Sequence, residues 1–576
     1  MLIVPALLGG CAASDSETAP RQTMPPAEAP EAPPAPFVDG SEAAGLDFTY
    51  VNGMSGKLFF VEMIGGGGAL FDYDDDGDLD LYAVQGHLLD PAWSGPDAAT
   101  PSDRLFRNDL VETGTLHFSD VTEAAGLRAT GYGMGAATGD YNNDGFVDLY
   151  VLNWGPNQLW RNNGDGSFTD VTEAAGTGDP GWSTGAAFLD ANRDGHLDLM
   201  VVNYDEYSLE LDHPCYGPSG RQDYCGPDAY PSAQDRFFRN RGDGTFEDAS
   251  FPMRLTRTYG PALGVVSADF NNDGWPDLFV ANDGHENQLW INQAGRHFEN
   301  QAIMGGVAVN AAGSAEASMG VNAADFDNDG DDDLFMTHLS KETNTLYVNS
   351  GDALFEDRTR QAGLGLPSRL YTAFGVAPLD YDNDGWLDLL IANGEVKVIP
   401  EQIDRGEALP LRQPNQLFRN LGQGRFEETT PADDGLFSRA EVSRGLAYGD
   451  LDNDGDTDAV LFNNDGPMRL LRNEVGQRRS WLGLHLRGAA PRQDALGARV
   501  ALLRSGTAPL WRRVHTDGSY ASAHDPRVLF GLGTTTAYDA VRVFWPSGKI
   551  EQWNGLDLNR YHTLVEGEGT AVEEAL

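Results

Sequence analysis

The stretch DYDDDGDLDLYAV, residues 72–84, crowds five carboxylates and a glycine into its first eight positions and then runs into an apolar segment of strand character. The same pattern returns six times: DYNNDGFVDLYVL at 140, DANRDGHLDLMVV at 190, DFNNDGWPDLFVA at 269, DFDNDGDDDLFMT at 325, DYDNDGWLDLLIA at 380 and DLDNDGDTDAVLF at 450. Recurrence at a spacing of about 50 to 80 residues marks a repeat architecture in which each copy is one supersecondary unit.

The shared pattern, D-x-[DN]-x-D-G-x-x-D, places side-chain oxygens at positions 1, 3, 5 and 9 and a glycine at 6. Hard cations such as calcium take six to eight oxygen ligands, and a tight loop with alternate acidic side chains and one backbone carbonyl supplies them. The glycine permits the positive-φ turn that curls such a loop. The ligands expected in the first copy are Asp72, Asp74, Asp76 and Asp80, with the carbonyl of Asp78 at position 7. The second gives Asp140, Asn142, Asp144, Phe146 (carbonyl) and Asp148; the third Asp190, Asn192, Asp194, His196 (carbonyl) and Asp198; the fourth Asp269, Asn271, Asp273, Trp275 (carbonyl) and Asp277. The fifth gives Asp325, Asp327, Asp329, Asp331 (carbonyl) and Asp333; the sixth Asp380, Asp382, Asp384, Trp386 (carbonyl) and Asp388; the seventh Asp450, Asp452, Asp454, Asp456 (carbonyl) and Asp458. The expectation is up to seven Ca²⁺ ions. Solvated acidic turns without metal would leave clustered carboxylates repelling one another at every copy. An EF-hand is excluded, because position 12 is Ala83 or Val151 rather than Glu and the flanks alternate as strands.

Further landmarks recur. Thirteen residues after the first Asp stands a residue read as a polar turn: Gln85, Asn153, Asn203, Asn282, His338, Asn393 or Asn463. A short strand follows, RLFRN at 104, QLWRN at 158, RFFRN at 236, QLWIN at 288, TLYVN at 345, QLFRN at 416 and RLLRN at 469. An aromatic strand of the type GDGSFTDVT completes the unit. Four short strands per repeat and seven repeats give an all-β chain, a seven-bladed β-propeller with calcium-binding hairpin loops, which hides its edges by radial repetition. The seventh unit lacks its own aromatic strand, and GLDFTYVNG at 45–53, with Phe48 and Tyr50, is expected to supply it from the N-terminal side and close the ring.

The 576 residues carry 88 acidic and 39 basic side chains, a formal charge of −49, which argues against nucleic acid or anionic membrane surfaces as partners. The N-terminus MLIVPALLGGCAAS is too short an apolar run to span a bilayer as a helix, and its Leu8-Gly9-Gly10-Cys11 resembles a bacterial lipobox with Cys11 as the lipidated residue, although a basic n-region is missing. Residues 1–11 are therefore read as a lipoprotein signal segment and 12–40 as a Pro/Ala-rich tether. The propeller is assigned to 45–480 and a small β domain to 482–570. Cys215 and Cys225 lie in a Gly/Pro-rich insertion between the third and fourth acidic motifs; a disulfide suits an exported protein, a metal pair being the alternative.

These repeats resemble the FG-GAP/VCBS type of integrin-α-like propellers. Beyond them, DALGARV at 494, DGSYASAHDPRVLFGLG at 517 and VRVFWPSG at 541 resemble the ASPIC/UnbV domain. The order of the two is similar to the cartilage-acidic-protein family and its bacterial relatives. That resemblance implies secreted, calcium-binding proteins of adhesion or matrix type.

Two function classes follow. One is a non-catalytic, calcium-stabilised binding, adhesion or scaffold protein, exported and held at the outer membrane or cell surface by a lipid anchor, or otherwise periplasmic or secreted. One propeller face would recognise a protein or glycan. The Tyr-rich insertion, with Tyr204, Tyr207, Tyr216, Tyr224 and Tyr230, reads either as a recognition surface or as a pinned loop that shields the channel. The alternative is an accessory enzyme or maturation factor of an exported or natural-product pathway, working in the central channel. The histidines have no recurring metal spacing; His515, Ser519 and His524 with Asp517 and Asp525 could form a triad, but no G-x-S-x-G elbow is present, and a polar hairpin is the simpler reading of that segment. Trp545 and Phe530 read as core before they read as a ligand platform.

Overall fold

The computed structural model describes residues 35–89, 101–407, 409–430, 435–489 and 495–573; the expectations for the signal segment, Cys11 and most of the tether fall outside them. Each acidic motif joins the first two strands of a four-stranded antiparallel sheet. In the second repeat these are Tyr132–Gly139, Asp148–Trp154, Gln158–Asn162 and Phe168–Asp170, in that order across the sheet. Their register pairs Gly139 with Asp148, Leu149 with Trp160 and Asn162 with Phe168. Seven such sheets occur among the described residues. Their first strands pack on one another in chain order, and Ser443–Gly449 of the last sheet returns to Gly68–Phe71 of the first, so the sheets close into a ring, a propeller. Apolar strand faces fill the space between neighbours, as where Leu81, Leu105, Val151 and Trp160 share one buried cluster.

The closing strand is not the one expected. Phe37–Asp39 pairs with Arg469–Asn473 in the seventh sheet, Phe37 opposite Asn473 and Asp39 opposite Leu471. The tether therefore does not extend to residue 40, and the ring begins before residue 45. Phe48 and Tyr50 are buried beside this sheet, where Tyr50 N–H donates to the Gly466 carbonyl and Met468 N–H to that of Phe48. Phe37 wins because F-x-D followed by a small-residue turn is the form of every fourth strand of the first three sheets, Phe118–Asp120, Phe168–Asp170 and Phe246–Asp248.

The residues expected to be polar turns, Gln85 to Asn463, are instead buried at or just past the end of each second strand. A second set of asparagines ties the sheets together. Asn108, Asn162, Asn240, Asn292, Asn349, Asn420 and Asn473 end the third strands, and each donates its side-chain amide across to a carbonyl of the preceding sheet: those of Leu451, Tyr73, Tyr141, Ala191, Phe270, Phe326 and Tyr381, at 2.7–2.9 Å.

Residues 481–573 fold as two further sheets. Trp481–Arg487 lies between Val528–Gly531 and Tyr561–Val565, and Arg499–Leu503 with Ala540–Phe544 sits in the middle of a five-stranded sheet. Phe530 and Trp545 are buried, 0% and 3% exposed, so they belong to the core.

The segment Thr516–Asp525 is no surface hairpin. It enters the centre of the ring and bonds to first strands of six sheets. Ser522–Ala523 adds in parallel to Gly68–Phe71. The Thr516 hydroxyl donates to the Thr138 carbonyl, Ser267 N–H to Asp517 Oδ2, Val321 N–H to the Ser519 carbonyl, Val376 N–H to Ser519 Oγ, and Asp525 N–H to the Tyr448 carbonyl. Glycines permit the approach: a Cβ on Gly67 would lie 2.0 Å from the Ala521 carbonyl oxygen, and one on Gly135 2.3 Å from it. At the tip, Tyr520 meets a second inserted segment, the buried turn Phe60–Met63 and Ile64, by donating its hydroxyl to the Ile64 carbonyl at 2.8 Å. The channel is thus filled by the chain itself.

Cys215 and Cys225 are joined as a disulfide. The tyrosines of their insertion form core rather than a recognition surface, except Tyr216, which is 66% exposed. Tyr204, Tyr207 and Tyr230 pack around Phe60 with Trp182, ring centroids 5.3–5.8 Å from that of Phe60, and Tyr224 bonds Glu62 at 3.2 Å. The insertion covers the Phe60 plug.

Candidate metal centres

Each acidic loop is held open by the backbone in the same way. The position-1 carboxylate accepts N–H donors from positions 5 and 6, as Asp72 does from Asp76 at 3.1 Å and Gly77 at 3.0 Å, and Asp380 from Asp384 at 2.8 Å and Gly385 at 2.7 Å. The position-5 carboxylate accepts the N–H of position 7 in all seven copies, at 2.9–3.2 Å. The glycines at position 6 have φ between 85° and 103°, as expected, and position 4 is also left-handed, Asp75, Asn143, Arg193, Asn272, Asn328, Asn383 and Asn453 lying at φ 51–58°. Asparagine occupies five of those seven places because it tolerates that conformation.

The position-9 aspartates are buried, and one oxygen of each accepts the N–H of the clamp asparagine, Asp333 from Asn349 and Asp148 from Asn162 both at 2.8 Å. The other oxygen accepts the N–H of position 2 in six loops; in the third, Asp198 Oδ2 is buried with no partner. The loop thus couples each candidate centre to the sheet and, through the clamp asparagine, to the preceding loop.

Positions 1, 3 and 9 converge in the first, fifth and sixth loops: the carboxylates of Asp72, Asp74 and Asp80, of Asp325, Asp327 and Asp333, and of Asp380, Asp382 and Asp388 offer oxygens within 4.8 Å of one another. Asp76 and Asp78 make a second group with Glu112. Where position 3 is Asn, its amide satisfies the position-5 carboxylate, Asn142 to Asp144 and Asn192 to Asp194 at 2.9 Å, and Asn271 to Asp273 at 3.1 Å. Where it is Asp, no such donor exists, and Asp74 Oδ1, Asp327 Oδ1 and Asp452 Oδ1 are buried oxygens without a partner, as are Asp76 Oδ2, Asp78 Oδ1 and Asp456 Oδ1. Asp382 is the exception, bound by Arg419 at 2.8 Å and Arg479 at 3.0 Å. Orphaned anionic oxygens turned toward one another are the donor set of a hard divalent cation, and these residues fit one.

The electrostatics agree. Burial first, and neighbouring loop carboxylates next among the raising causes, push Asp72, Asp325, Asp380 and Asp450 up to about 7 and Asp456 up to about 9. Asp80, Asp148, Asp277, Asp333, Asp388 and Asp458 lie well above the usual carboxylate range, again chiefly by burial. Such groups hold either protons or a cation.

The C-terminal domain sits on this acidic face. Residues 481–576 hold ten Lys or Arg and ten Asp or Glu, so the charge of −49 belongs to the rest of the chain. Its arginines are spent on the loops: Arg527 donates to the Asp450 carbonyl and Asn453 Oδ1, both at 2.7 Å, Arg487 to Asp75 at 2.8 Å, and Arg499 to Asn272 Oδ1 at 2.6 Å and the Gly330 carbonyl. Tyr561 donates to Asp450 Oδ2 at 2.9 Å. No triad forms in the plug: Ser519 Oγ accepts the Val376 N–H, while His524 is fully buried and stacks on Tyr448 at 4.1 Å.

Family models match two parts of the chain, "FG-GAP-like repeat" at residues 140–201, 220–280, 269–336 and 325–391, and "ASPIC and UnbV" at residues 488–571. Cartilage acidic protein 1 of Homo sapiens is 31% identical over 223 residues, 35% of this chain and 31% of that protein, and its Mus musculus counterpart is 26% identical over 373 residues, 61% and 50%. The chain spans half or less of the length of these relatives. Among solved structures, an Agrocybe aegerita lectin that recognises non-reducing terminal N-acetylglucosamine has a TM-score of 0.36 at 16% identity, covering 63% of this chain and 79% of its own. YCF48 bound to D1 peptide has a TM-score of 0.39 at 8% identity, covering 71% and 92%. The chain is an all-β protein of FG-GAP-like repeats followed by an ASPIC/UnbV domain, homologous to cartilage acidic protein 1.

Proposed function

We propose that this is a non-catalytic binding or scaffold protein, exported from the cell, whose propeller is rigidified by calcium in up to seven loops and whose partner is a protein or a glycan. The observation that carries the calcium reading is the set of buried, unpartnered carboxylate oxygens that converge in the loops. Calcium would supply charge neutralisation and loop closure there, with Asp at positions 1, 5 and 9, Asp or Asn at position 3 and the position-7 carbonyl as ligands. The disulfide supports export, since such bonds persist in oxidising compartments. A cell-surface lipid anchor through Cys11 is part of the same reading. The filled channel favours binding on exposed surfaces over chemistry in the channel. Thermal unfolding of the full chain with calcium and with excess chelator tests it: a cation that binds only the folded state raises the melting temperature, and an identical melting temperature in both conditions refutes the calcium reading.

A further inference from the structure

The first sheet departs from the others in the connection between its third and fourth strands. From Asn108 to Phe118 the chain takes ten steps, where Asn162 to Phe168, Asn240 to Phe246 and Asn420 to Phe426 take six. The extra length is wound into the helical turn Leu110–Thr113, which carries Glu112 over the acidic loop, and the Val111 N–H of that turn donates to Asp78 Oδ2 at 2.9 Å. On the calcium reading, position 7 gives the loop ion only a carbonyl. Here its side chain is a carboxylate as well, on a residue 1% exposed. The other oxygen of Asp78, Oδ1, is buried without a partner, and so is Asp76 Oδ2. Asp76, Asp78 and Glu112 offer carboxylate oxygens within 4.8 Å of one another, a group separate from that of Asp72, Asp74 and Asp80.

Neighbouring cations do not answer this charge. Among the described residues no basic side chain pairs with Glu112, and Arg107 beside it gives Nε and Nη2 to Asp109 at 3.0 and 2.6 Å. Asp72, Asp74, Asp76, Asp78, Asp80 and Glu112 bring six carboxylates to the loop, and one calcium ion answers two of those charges. Buried anionic oxygens are paired or they coordinate a metal. The other loops with Asp at position 7 meet the need with amides. Asp331 accepts the Asn272 amide at 2.6 Å; in the seventh loop Asp456 Oδ2 accepts the Gln477 N–H at 2.9 Å, and the Gln477 side chain donates to Asp454 at 2.8 Å.

We propose that the first loop holds a second hard divalent cation, bound by the carboxylates of Asp76, Asp78 and Glu112 with water completing its oxygen shell, beside the ion of Asp72, Asp74 and Asp80. Asp76 is shared between the two. The proposal deepens the calcium reading and rests on it for that shared ligand. Glu112 is exposed on a four-residue turn, so this ion exchanges with solvent, fills at higher calcium than the loop sites and is the first to leave on dialysis.

Calorimetric titration of the metal-stripped full chain with calcium, together with calcium anomalous-difference maps from crystals grown at saturating calcium, tests this in the parent and in Glu112→Gln, an isosteric change at an exposed position. The parent should show density both between Asp76, Asp78 and Glu112 and between Asp72, Asp74 and Asp80. Glu112→Gln should weaken the weakest calcium-binding step about tenfold and remove the first density while leaving the second. Parent crystals without density beside Glu112, or a titration of Glu112→Gln identical to the parent's, overturn the proposal. Calcium between Asp72, Asp74 and Asp80 with none beside Glu112 sinks this inference alone, whereas no density at either place and no heat of binding sink the calcium reading with it.

Discussion

Replacing Asn420 by alanine isolates the sheet-to-sheet clamp. The side chain is 1% exposed; its amide donates to the Phe326 carbonyl of the preceding sheet at 2.9 Å and the Leu387 carbonyl at 3.0 Å, while its carbonyl accepts the Gly422 N–H at 2.9 Å. The backbone N–H bond to Asp388 at 2.6 Å survives the change, so the loop keeps its main-chain tether. Each lost bond is worth about 1 kcal/mol net, and a buried group left without a partner costs about 1–3 kcal/mol. Three such losses give roughly 3–5 kcal/mol. Urea unfolding followed by fluorescence in calcium buffer measures it, with Asn163→Ala, an exposed asparagine, as the control expected within about 0.5 kcal/mol of the parent. If Asn420→Ala costs no more than that control, the ring of asparagines does not hold the sheets together and the reasoning fails.

Tyr520 is fully buried at the tip of the plug, 4.9 Å from the Phe374 ring; Tyr520→Ala should cost about 3–5 kcal/mol and Tyr520→Phe about 1 kcal/mol in the same assay, the second value being that of its hydroxyl bond to Ile64. His338, where the other repeats carry Asn or Gln, is pushed down to about 4 by burial, and Glu316, 3.9 Å away, is pushed up to about 7 by the same cause, so it is neutral in acid and offers no counter-charge. A folded pKa below the unfolded value means the contribution is present above pH ~6.5 and lost as pH falls toward 4, roughly 3 kcal/mol in all; the raised Glu316 works in the opposite sense over the overlapping window, so His338→Asn should make stability rise less, or fall, with increasing pH there relative to the parent, and a slope identical to the parent's contradicts the assignment. The fifth loop has four carboxylates at its side-chain positions and the third has Asn192 among them. Ligand charge raises calcium affinity, so Asp329→Ala should lower stability in calcium more than Asp194→Ala; the reverse order in a calcium titration of the two variants would put loop rigidity above charge.

Much of this was legible because it is local. The glycine turn, the alternating acids and the strand behind them all lie within thirteen residues, so the hairpins, the four strands of each unit and the positive-φ glycine turn of each acidic loop could be read directly. The strands of the C-terminal domain and the pairing of Cys215 with Cys225 were equally readable. The ring closure was misplaced although its signal was present: FVDGSEAAGL at 37 parallels FSDVTEAAGL at 118 and FTDVTEAAGT at 168. GLDFTYVNG at 45–53 carries the stronger strand-like alternation, although Phe48 and Tyr50 pack beside the sheet rather than in it. The plug could not be read, because DGSYASAHD is polar and its partners are main-chain groups contributed by six sheets. The clamp asparagines were visible as a fixed letter in RLFRN and its equivalents, but their partners lie in another sheet. The insertion's tyrosines have the composition of a recognition surface, and only Phe60, about 145 residues earlier in the chain, makes them core.

The central claim is that the acidic loops are cation sites which the fold is built around. Elemental analysis of the purified full chain, dialysed against calcium-free buffer treated with chelating resin, tests it most directly. The account predicts several calcium ions retained per chain, approaching seven, with the number falling on Asp325→Ala as that site is lost. A chain that folds with the same melting temperature and carries no calcium would contradict it.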